Sequence, residues 1–156
     1  MTQLLPGDVL LVEGTSVFDK LIRWATNSPY NHAAIVATDC VSVIEAQTPV
    51  ALRIPASFYA GRADVWRLMP FAPKVALVAA ARAERFVGQP YGWQEVIGSG
   101  LWDVAHVPIR YKLRTFDCSG LVVQSYADAG LMLSRHPFPS PADLSFSATI
   151  QKVGSL

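Results

Sequence analysis

The chain has 156 residues, a formal net charge of +1, 51% apolar residues and only 16% charged ones. Scattered lysines and arginines with no net field give nucleic acid nothing to bind, so no nucleic-acid partner is expected. No apolar run approaches the roughly 20 residues of a membrane-spanning helix, and two cysteines make no disulfide framework, so one compact domain over 1–156 is expected.

The first five residues carry no charged start, apolar core or cleavage site of a secretory signal, which predicts a cytoplasmic location. Gly7-Asp8 then introduces a short buried strand, Val9 to Val12. Phe18, Leu21, Ile22 and Ala25 recur at helical spacing, and Asn27-Ser28-Pro29 ends that helix. His32 to Thr38 and Val41 to Gln47 are β-rich runs joined by a short polar break, which reads as a hairpin with Cys40 as a bystander thiol at its turn. Val50 to Ile54 and Ala63 to Met69 predict two further strands. Lys74 to Val87 is an alanine-rich amphipathic helix, opened by Pro73 and closed by Gly88. Gln89 to Arg114 mixes Gly98, Gly100 and Pro108 with large apolar residues and has room for a short helix. Asp117 or Thr115 caps a helix running from Cys118 to about Ala129, with Gly130 at its end, and Pro137 to Pro141 reads as loop. The pattern is α+β, with an antiparallel sheet and one helix packed against it.

Two sites on this map carry chemistry. His32 opens an apolar strand, and Cys118 opens an amphipathic helix. A helix N-terminus favours the thiolate form, and a histidine on a strand can serve as its base. Each has a plainer reading: Cys118 as a buried core thiol, His32 as a strand-end ring packed on Tyr30. Glu45, between Ile44 and Ala46, sits across the predicted hairpin from His32. It is either an exposed edge residue or a carboxylate that orients the imidazole, since a buried carboxylate needs a partner. Gly98-Ser99-Gly100 lacks the lysine of a phosphate loop, and the histidines and cysteines have no zinc-like spacing, so neither metal nor cofactor is expected.

The segments Gly88-Gln89-Pro90-Tyr91-Gly92-Trp93 and Phe116-Asp117-Cys118-Ser119-Gly120-Leu121 resemble those of the NlpC/P60 group of papain-like cysteine hydrolases, which pair G-x-P-Y-x-W with D-C-S-G-L. Ordinary members place the histidine after the cysteine, whereas His32 precedes Cys118. That order resembles the circularly permuted NlpC/P60-like enzymes of the YaeF/YiiX type. Their G-D-[IV]-[VL], S-x-Y-[SN]-H-[AV] and E-A segments are matched by Gly7-Asp8-Val9-Leu10, Ser28-Pro29-Tyr30-Asn31-His32-Ala33 and Glu45-Ala46. The matches run from about Pro6 to Leu144.

The resemblance implies a permuted papain-like core, with the nucleophile helix packed on an antiparallel sheet. It implies a thiol hydrolase that cleaves an amide or ester bond through a thioester. Cys118 would be the nucleophile, His32 the base and Glu45 its orienting carboxylate. Tyr91 matches the tyrosine near the nucleophile in that group and is the candidate oxyanion donor, against the alternative of a core aromatic. Tyr30 and Ser119 are candidate substrate contacts, and Asp117 serves as a helix cap. The implied partners are a small peptide, a peptidoglycan fragment, or an acylated amino acid or lipid. Two rivals stand beside this reading. One is an acyltransferase of the lecithin–retinol type, whose N-C-E-H-F segment Phe116 to Leu121 does not match. The other is a catalytically silent binding module on the same scaffold.

Overall fold

The computed structural model describes residues 2–14, 28–90, 117–136 and 139–156. The helix expected over Phe18 to Ala25, Tyr91 with the rest of the expected segment to Arg114, and Phe138 lie outside the described residues. Within them the chain forms strands β1 (Val9–Val12), β2 (His32–Val36), β3 (Ser42–Ala46), β4 (Ala51–Pro55), β5 (Ala63–Leu68) and β6 (Ile150–Ser155). The helices are α1 (Pro73–Ala83), α2 (Cys118–Ala127) and a single-turn α3 (Pro141–Ser145). Two 3-10 turns follow β4 and α1, at Ala56–Tyr59 and Glu84–Phe86. The six strands make one antiparallel sheet in the order β4-β3-β2-β1-β5-β6. Among the described residues no helix is long and apolar enough to cross a membrane.

The central strands read as continuous apolar runs because both faces of the sheet are covered. Val9, Leu11, Ala33, Ile35 and Ile44 face the helices and join Ala76, Ala79, Ala83, Leu121, Val122 and Tyr126 in one core. Leu10, Val12, Ala34, Val36 and Val43 face the other way, onto Ala56, Tyr59, Ala63 and Val65. A sheet with one wet face would alternate apolar and polar residues; β1 instead buries all four of its side chains.

Two helices, not the single one expected, cover the first face. α1 presents Ala76, Ala79, Ala80 and Ala83 inward, small side chains that let it lie close to the sheet and to α2. The closest approach is at Gly7, whose φ of +82° suits glycine. A Cβ there would lie 2.4 Å from the Ala76 carbonyl oxygen. Tyr126 of α2 donates its hydroxyl to the Gly7 carbonyl, so both helices are pinned to one turn. The neighbouring Asp8 is 1% exposed and receives a bidentate guanidinium from Arg67 of β5, at 2.8 and 2.7 Å. Gly7-Asp8 is therefore the joint at which β1, β5, α1 and α2 meet.

The structure corrects the reading of the C-terminal region. Pro141, expected in a loop, is the first residue of α3. Ser140 caps that turn by accepting from the Asp143 N–H at 3.2 Å, while the Asp143 carboxylate accepts from the Ser140 N–H at 2.7 Å. Ile150–Ser155, for which no strand is expected, pairs with β5 and completes the sheet edge.

Candidate functional site

The site begins with strand register. Val12 pairs with His32, and Val36 with Val43. Carried one step further, the β2–β3 register sets Glu45 across from Ala34. His32 lies two residues from Ala34 on the same face, so the two side chains are diagonal neighbours. Their contact follows: His32 Nε2 lies 2.9 Å from Glu45 Oε2. β3 is not a sheet edge, since β4 covers it, and Glu45 is 0% exposed. The exposed-edge alternative for Glu45 is thus removed, and the carboxylate sits where burial demands partners.

α2 brings the thiol. Asp117 is its N-cap, extended at φ −79° and ψ 179°, and its side chain accepts from the Gly120 N–H at 2.5 Å. Leu121, Val122 and Tyr126 pack into the helix-side core, which fixes the axis of α2 over the sheet. Cys118, first in the helix, is left at the end of β2. There its charge and thiol act on the His32 imidazole and raise its pKa.

The imidazole is thus held by the buried carboxylate. Burial alone would lower its pKa. The negative charge and hydrogen bond of Cys118, followed by those of Glu45, outweigh burial and push it up to about 10. Asp117 is affected in the opposite sense to a free carboxylate. Burial raises its pKa to about 6, with the Gly120 N–H and the positive charge of His32 pulling it back down.

One participant has no local signal in the sequence. Tyr59, in the 3-10 turn after β4, is 4% exposed and donates its hydroxyl to Glu45 Oε2 at 2.5 Å. Its ring tilts against His32, with centroids 5.9 Å apart. Only the β3–β4 hairpin, which folds Ala56–Tyr59 back over the sheet, brings it there.

The remaining sequence candidates are placed as follows. Ser119 is fully buried, with its Oγ 3.9 Å from the Cys118 sulfur. The Tyr30 hydroxyl donates to Asp64 at 2.6 Å and its ring meets Trp66 edge-on, on the helix side of the sheet. That hydroxyl is committed to the core. Cys40 sits at the β2–β3 turn with φ +63°, and is a free thiol like Cys118. Tyr91 lies outside the described residues. Among the described residues, no three His, Cys, Asp or Glu side chains gather as a metal-binding group.

No protein-family model matches the chain, and no curated protein matches it. Among solved structures, the crystal structure of metalloprotein yiiX from Escherichia coli O157:H7 superposes with a TM-score of 0.77. The match covers 99% of this chain and 99% of that chain at 17% sequence identity. At that identity the likeness is one of fold: an α+β chain with a six-stranded antiparallel sheet, built on the yiiX-type architecture.

Proposed function

We propose that the chain is a circularly permuted, papain-like cysteine hydrolase of the NlpC/P60 type, folded as a single domain over 1–156, that cleaves an amide or ester bond. The observation that carries this reading is the His32 imidazole bonded to the buried Glu45 carboxylate, with Cys118 at the start of α2 acting on the same ring.

In this mechanism His32 takes the Cys118 proton and the thiolate attacks the substrate carbonyl carbon. The tetrahedral oxyanion is met by the N–H groups that open α2, which have no acceptor within the helix, and by Tyr91 as the family resemblance assigns. Collapse breaks the bond to the leaving amine or alcohol, which departs with the proton from His32. His32 then deprotonates water, which attacks the thioester carbonyl and releases the acid and free Cys118. Glu45 keeps the ring in one tautomer and offsets its positive charge throughout. The substrate classes that fit are a small peptide, a peptidoglycan fragment, or an acylated amino acid or lipid. The yiiX structure is that of a metalloprotein; the proposed steps call on Cys118, His32 and Glu45 of this chain.

Incubation with acyl p-nitrophenyl esters should add one acyl mass to Cys118, seen in the intact protein and lost in Cys118→Ser. Turnover of the matching acyl anilides, which need a proton for the departing amine, should fall as pH rises through about 10. His32 has its pKa raised from 6.5 to about 10, so the imidazolium is fully present below 6.5 and disappears through the higher value. Turnover that survives in Cys118→Ser, or an acyl group carried elsewhere, would contradict the assignment.

A further inference from the structure

The Glu45 carboxylate is bonded lopsidedly. Oε2 accepts from both His32 Nε2 and the Tyr59 hydroxyl, while Oε1 is buried with no hydrogen-bond partner. A wholly buried carboxylate with one empty oxygen is free, by itself, to rotate, and that would release the imidazole. We infer that Tyr59 is a positioning residue for the proposed reaction, which holds the Glu45 carboxylate with Oε2 turned to His32.

Three observations point the same way. The Tyr59 hydroxyl donates directly to the oxygen that faces His32, at 2.5 Å. Tyr59 holds its proton firmly: burial first, then the hydrogen bond and negative charge of Glu45, raise its pKa well above the usual tyrosine range. It therefore acts as a donor, not as a second base. Its ring also packs on the His32 imidazole, so one side chain restrains both members of the pair. The position is itself held from outside, since Arg62 lies over the Tyr59 ring with its guanidinium carbon 5.2 Å from the centroid.

The inference rests on the cysteine-hydrolase reading but can fail separately from it. The test is the pH dependence of Cys118 alkylation by iodoacetamide, followed on the Cys118 peptide by mass spectrometry. In Tyr59→Phe the carboxylate loses the donor that holds it and the imidazole keeps a less well-oriented partner. Alkylation of Cys118 should be about tenfold slower than in the native chain across the profile, with Cys40 unchanged. In a Glu45→Gln background the same substitution should add nothing, because its route of action is already gone. Circular dichroism melting of each variant reports folding independently. An unchanged Cys118 rate in a folded Tyr59→Phe protein, or a further loss in the Glu45→Gln background, would overturn the positioning role. Failure of native Cys118 to react ahead of Cys40 would instead overturn the hydrolase reading itself.

Discussion

Replacing His32 by alanine should slow acylation of Cys118 by roughly a thousandfold near neutral pH, inside the range a positioned base contributes. His32 is the nitrogen base on which Cys118 acts, and alanine leaves the thiol to ionise against solvent and the helix N-terminus alone. The Glu45 carboxylate would also lose the cation that shares its buried pocket, leaving Tyr59 as its donor. Glu45→Gln keeps the volume and removes only the charge, so its loss of rate should be smaller. His136 sits near the end of the segment after α2, where its N–H donates to the Ser134 hydroxyl at 3.0 Å. His136→Ala is the control, and rates of acyl transfer to the Cys118 peptide in the three variants make the comparison. Equal damage from His136→Ala and His32→Ala would mean that the base is misassigned.

The largest expected effect on stability lies away from the site. Gly7→Ala should destabilise the fold by about 3 kcal/mol, from a strained positive φ together with overpacking. A new Cβ would meet the Ala76 carbonyl oxygen at 2.4 Å, its carbon at 2.8 Å and its α-carbon at 2.9 Å. These are backbone atoms of a helix that is itself bonded to the sheet, so they have little room to move. Gly88 separates the two contributions. Its φ is +84° but no atom lies within 4 Å of an added Cβ, so Gly88→Ala should cost only the conformational part, about 1 kcal/mol. Thermal melts should show the Gly7 variant falling by roughly 6–12 °C and the Gly88 variant by a few degrees. Similar shifts for the two would mean that the contact of Gly7 with α1 is not tight.

What the sequence disclosed was whatever local chemistry marks. Val9 to Val12, the hairpin after His32, the alanine-rich helix after Pro73 and the capped helix at Cys118 all carry their own apolar runs and punctuation. They form within a few residues of the expected bounds. β6 escaped because Gln151 and Lys152 break the pattern and Gly154 weakens it. Its stability comes from pairing with β5 and from flanking bonds such as Met69 N–H to Thr149 O at 3.0 Å, which no window of sequence contains. α3 escaped for a different reason. Ser140 and Asp143 spell a capping box around Pro141, and the prolines on either side masked it. At the site, motif resemblance singled out His32, Glu45 and Cys118, but their order along the chain says nothing of contact. Whether Glu45 is exposed depends on β4 pairing outside β3 and on Tyr59 closing over it, both products of tertiary structure. Tyr59 itself belongs to no pattern, since its partner lies 14 residues earlier in the chain.

The central claim is that Cys118 is an activated nucleophile because His32 and Glu45 stand behind it. The chain contains its own reference thiol, Cys40, which is partly exposed at a turn and has no histidine beside it among the contacts of the described residues. A single competition measures the difference. The native protein is treated with a limiting amount of iodoacetamide at pH 6, and the two cysteine peptides are quantified by mass spectrometry. Exposure alone would favour Cys40, because Cys118 is 9% exposed. With His32 beside it as base that order reverses, and Cys118 should be alkylated at least about tenfold faster, with the advantage lost in His32→Ala. Equal rates, a faster Cys40, or an advantage that persists without His32 would contradict the account.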